Sequence, residues 1–70
     1  MTGKKSKVML DAKRVRELYY EGVDKYVNGD VEGAIKIWEK VLSIDPSHVE
    51  ARKNLRKAKE KLAALKKLAK

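Results

Sequence analysis

An all-α fold is predicted for this 70-residue chain, and three observations predict it. Apolar residues recur at steps of three and four over three stretches, which is the period of a helix face. Asn28-Gly29-Asp30 and Asp45-Pro46 separate those stretches with helix-stopping chemistry. The last third is dominated by Ala, Leu, Lys and Glu, all good helix formers. The expected architecture is an antiparallel helix hairpin and a longer C-terminal capping helix, over 11–28, 31–43 and 47–68. These form one domain, 8–70, after a flexible basic tail over 1–7.

The first helix is expected to start at Asp11, whose carboxylate can accept the free amide hydrogens of the first turn. Leu10 and Val15 stand where a hydrophobic staple would close. Val15, Leu18, Tyr19, Gly22, Val23 and Tyr26 then line one face. A glycine inside that stripe costs about 1 kcal/mol relative to alanine, so Gly22 points to close helix–helix approach. Asn28-Gly29-Asp30 supplies a left-handed residue and then a cap, a turn so short that the two helices must be antiparallel neighbours.

The second helix presents Ala34, Ile35, Trp38, Val41 and Leu42, widened by Ile37 and Ile44, so it is expected to be covered on two sides. Asp45-Pro46 ends it. The third helix opens with Ser47-His48-Val49-Glu50, a capping-box pattern, and continues through Ala51, Leu55, Ala58, Leu62, Leu65 and Ala69 at steps of four and three.

From Val15 to His48 is 34 residues, the period of the tetratricopeptide repeat, and the stretch resembles one such repeat in detail. Leu18 and Gly22 stand at the large and small positions of the family's first helix. Ala34, Trp38 and Val41 match its second helix, Pro46 its closing Asp-Pro, and Leu55 the opening of a following repeat. The resemblance covers one and a half repeats, residues 15–65. It departs at Glu21 and Lys25, where the family usually carries a leucine and a tyrosine, and at Arg56, a bulky charge in the place that corresponds to Gly22. The third helix therefore reads as a terminal cap. The resemblance implies a right-handed stack of helix pairs that binds a peptide or protein surface in a concave groove and does no chemistry. Tyr19 and Val23 occupy the inner places where the family's carboxylate-binding type needs Lys and Asn, so that specific role is not implied.

The residues agree with a non-enzyme. No Ser or Cys nucleophile has a matched base, and Glu17, Glu21 and Asp24 read as the wet face of an amphipathic helix. Gly22, Gly29 and Gly33 do not form a phosphate loop after a strand. With no cysteine and the single His48, no metal site or cofactor is expected. Absence of cysteine fits a reducing compartment, and no apolar run has the length of a membrane span or signal segment, so a cytoplasmic location is expected.

Charge and size point to partners. Residues 1–16 hold six Lys or Arg against one acid, 17–48 three against seven acids, and 49–70 nine against two. A chain this short buries only about 60% of its unfolded surface and needs outside help. Leu62, Leu65 and Leu68 lie where the third helix outruns the hairpin, so they are the expected self-association residues of a homodimer, through pairing of third helices. Cover from further repeats of a longer protein is the other way to bury these faces. Tyr20, off the core stripe, and Arg52 and Arg56, one turn apart, are the expected contacts for a protein or peptide partner. The rival expectation is that the basic third helix meets nucleic acid or another polyanion. That helix carries no aromatic residue to stack on bases, which weighs against it.

Overall fold

The computed structural model describes residues 2–68, with side chains from residue 11 onward. Three helices account for nearly all of it: α1 (Thr2–Val27), α2 (Val31–Ile44) and α3 (Val49–Leu68). No strand occurs among the described residues. Helix α2 is the middle layer and packs against both α1 and α3. Its sequence explains the position. Val31, Ala34, Ile35, Trp38 and Val41 are all buried, an apolar arc too wide for one neighbour to cover.

The α1–α2 turn is built from backbone geometry. Gly29 has φ 92°, the left-handed conformation that glycine adopts without a Cβ penalty. Its amide donates to the Tyr26 carbonyl (3.1 Å) and the Asp30 amide to the Lys25 carbonyl (2.8 Å), the paired bonds of a Schellman ending. Asp30 then caps α2, its Oδ1 accepting from the Gly33 amide at 2.9 Å. One residue thus closes one helix and opens the next.

Gly22 has the packing role expected of it. A Cβ at that position would sit 2.8 Å from Trp38 Cδ1 and Cε2, and closer still to Nε1. The bare α1 backbone lets the indole lie against it. Trp38 Nε1 donates to the Tyr19 carbonyl at 3.1 Å, so the one polar atom of the 2% exposed Trp38 is satisfied. On the other side of α2, Ala51 and Ala58 are fully buried, and their small side chains let α3 approach closely.

Several expected boundaries change. Helix α1 begins at Thr2, not at Asp11, and residues 2–7 are helical where a flexible tail is expected. Lys, Met, Leu and Ala tolerate helix well, and no proline interrupts the run, so nothing compels a start at Asp11. Asp11 is then interior and not a cap. Leu10, the expected staple partner, belongs to the stretch whose side chains are not described, and Ala69 lies outside the described residues.

Helix α3 begins at Val49, two residues after the expected start, and its cap is His48. The Ala51 amide donates to His48 Nδ1 at 3.0 Å, and the Arg52 amide to the His48 carbonyl at 3.1 Å. Ser47 is instead engaged by the turn around Pro46, its amide (3.2 Å) and hydroxyl (2.7 Å) both donating to Asp45 Oδ1. An aspartate two residues upstream wins the serine that the capping box requires. His48→Ala should therefore lower stability by about 1 kcal/mol, and His48→Asn, which restores an acceptor, should recover most of it. Urea unfolding followed by circular dichroism measures both.

Of the expected repeat core, Ala34, Trp38, Val41 and Gly22 are buried, and Leu18 and Leu55 pack half-buried against the cluster. Pro46 is exposed: it shapes the α2–α3 turn and fills no core.

Candidate functional site

Helices α1 and α3 flank α2 and face each other across a groove floored by Trp38. Val23 and Tyr26 form one wall, Asn54 and Lys57 the other, and the hollow measures about 300 Å³. Its walls are held by contacts between helices distant in sequence. Asn54 Nδ2 donates to the Tyr19 hydroxyl at 2.9 Å, which ties α3 to α1 at one end of the groove. At the other end Lys61 Nζ lies 5.2 Å from the centre of the Tyr26 ring, a cation–π contact. The Tyr26 ring is 5.9 Å from that of Trp38, so the half-buried wall residue rests against the buried indole.

Tyr19 is the post around which this face is organised. Its carbonyl receives the indole, its hydroxyl receives Asn54, and its ring lies 5.1 Å from that of His48 and 5.2 Å from that of Tyr20. The ring is half-buried, and its amphipathic character suits a position where one edge is apolar and the tip is polar. On the far side of Tyr19 a second hollow, also about 300 Å³, is lined by Arg16, Tyr20, Asp45, His48 and Glu50 among others. A third, of about 320 Å³, is a shallow basic patch of Lys53, Arg56 and Lys57 with Glu60.

No protein-family model, curated protein or solved structure matches this chain. Its site is therefore read from its own geometry.

The three expected partner contacts do not converge. Tyr20 is 62% exposed and sits at the second hollow. Arg56 is exposed at the basic patch. Arg52 is exposed but engaged by its own chain, Nη2 donating to the Pro46 carbonyl at 2.6 Å, and so braces the α2–α3 turn. The groove residues Asn54, Lys57 and Lys61 are absent from the expected set. They follow at steps of three and four on α3, a signal present in the sequence but hidden among its many lysines.

The expected self-association residues also separate. Leu62 is half-buried against the core: it is the 14th residue of α3, level with the far end of α2, which is 14 residues long. Leu65 and Leu68 are 45% and 82% exposed. Among the described residues, no cluster of His, Cys, Asp or Glu could hold a metal ion, and no helix is long and apolar enough to cross a membrane.

Proposed function

We propose that this chain is a non-catalytic protein-interaction module of tetratricopeptide-like design, which holds a segment of another protein in the groove between α1 and α3. The observation that carries this reading is the groove itself. It has an apolar wall of Val23 and Tyr26 over Trp38, with the polar Asn54 and cationic Lys57 opposite. An apolar centre with a few polar groups on one side is how protein surfaces anchor a short segment and fix its orientation. The chemistry selects the partner. A segment that carries an apolar side chain for the apolar wall and a carboxylate for Lys57 and Lys61 satisfies both walls.

The test is selection of short peptides against the wild-type chain, followed by titration of the selected sequences against Lys57→Glu. Lys57 is exposed, so the change leaves the core untouched. Selected peptides should combine acidic and apolar residues, and the variant should bind them at least about tenfold more weakly, a loss of about 1.4 kcal/mol. Undiminished binding by Lys57→Glu would remove the groove from consideration.

A second reading rests on the basic patch of Lys53, Arg56 and Lys57. If α3 meets nucleic acid or another polyanion, labelled RNA or DNA should bind with an affinity that falls steeply with salt and with little dependence on sequence. Peptide binding that persists at moderate salt separates the two.

A further inference from the structure

Two exposed surfaces remain outside the groove. The first is the end of α3. Lys61 stands over Tyr26, one residue before α1 ends at Val27. Leu62 still packs against the core, so it is Ala63–Leu68, roughly 9 Å at about 1.5 Å per residue, that runs on beyond it. It carries the exposed Leu65 and Leu68, with Lys66 and Lys67 beside them. The second surface is the outer face of α1. Glu17, Tyr20, Asp24 and Val27 succeed one another at steps of three and four, opposite the stripe of Val15, Leu18 and Gly22, and all four are exposed. Val27 is 74% exposed and Tyr20 62%, so this lane alternates apolar contact area with carboxylates.

The two surfaces match in chemistry. One offers leucines among ammonium groups, the other a tyrosine and a valine among carboxylates. We infer that the chain pairs with a second copy of itself, each copy laying the α3 tail against the outer face of α1 of the other. In such an exchange two copies related by a two-fold axis make both contacts at once, each giving its tail and its α1 lane. Pairing of two α3 tails with each other is the poorer seam, since it brings Lys66 and Lys67 of both copies together with no acidic residue after Glu60 to offset them. None of the seam residues lines the groove, so this inference stands or falls apart from the peptide-binding reading.

Charge reversal tests it. Glu17→Lys with Asp24→Lys makes the α1 lane basic, and Lys66→Glu with Lys67→Glu makes the tail acidic. All four positions are exposed, so circular dichroism should show helix content unchanged in both variants. Light scattering over a concentration series should find the wild-type chain dimeric and each variant alone at least about tenfold weaker in self-association. An equimolar mixture should recover dimers, now mixed, because each reversed surface meets a complementary one. A wild-type chain that stays monomeric to millimolar concentration would overturn the inference. So would an α1 variant that dimerises like the wild type, which would shift the seam to the α3 tails, or a mixture that fails to recover.

Discussion

Trp38→Ala should cost about 3–5 kcal/mol, the range for deletion of a buried aromatic side chain. Small domains hold only about 5–15 kcal/mol of net stability, so the variant should be largely unfolded or close to it at room temperature. The reason for placing it at the upper end is the position of the ring. It lies in the middle helix, 2% exposed, against the bare backbone of Gly22 and flanked on the same α1 face by Tyr19 and Tyr26. Thermal melts followed at 222 nm, the helix band, read the outcome. Survival of a cooperative transition near the wild-type midpoint would show that the core repacks around the hole.

Gly22→Ala should destabilise the chain by about 1–3 kcal/mol, although alanine is the better helix former by about 1 kcal/mol. The added Cβ would stand 2.8 Å from two atoms of the indole, and nearer to Nε1. An aromatic ring cannot bend away as the end of a lysine can. It must shift as a body, and the bond from Nε1 to the Tyr19 carbonyl goes with it. The informative experiment is the double-mutant cycle with Trp38→Phe. The atoms that crowd position 22 belong to the five-membered part of the indole, which phenylalanine lacks. In the Trp38→Phe background, Gly22→Ala should therefore be close to neutral or stabilising, with helix propensity left as the main term. Equal penalties in both backgrounds would mean that the cost at position 22 has another source.

Position 22 also shows what a sequence can disclose. A glycine in the apolar stripe of a helix is unfavourable locally, and only close packing explains it. The large residue that fills the gap is the lone tryptophan sixteen positions on. The hairpin turn is legible for a similar reason. Asn28-Gly29-Asp30 contains the left-handed residue and the cap that the backbone needs, and α2 begins at Val31 as expected.

What the sequence conceals is competition between equals. Ser47 and His48 can both cap α3, and the choice falls to His48 because Asp45 takes the serine. Nothing in the local pattern ranks those two bonds. The start of α1 is concealed in the same way, since residues on both sides of Asp11 accept helix. The groove is harder still. Lys57 and Asn54 differ from the other polar residues of α3 only in facing Val23, Tyr26 and Trp38, and that depends on the rotation of α3 about its own axis. Contacts such as Asn54 to Tyr19, 35 residues apart, set that rotation, and no periodicity reveals them.

The hydrogen bond from Trp38 to Tyr19 has a further use. Trp38 is the only tryptophan in the chain, and its nitrogen is given to a carbonyl of a different helix. Its fluorescence therefore reports on the packing of α1 against α2 and on the α3 residues, Asn54 and Lys57, that share its groove. Undocking would hydrate the ring and move its emission to longer wavelength, whereas fraying of the far turns of α3 would leave it unmoved. The far-ultraviolet signal responds to all three helices together. Followed side by side through one denaturant titration, the two signals separate loss of the packed core from fraying of the α3 tail, with no label attached.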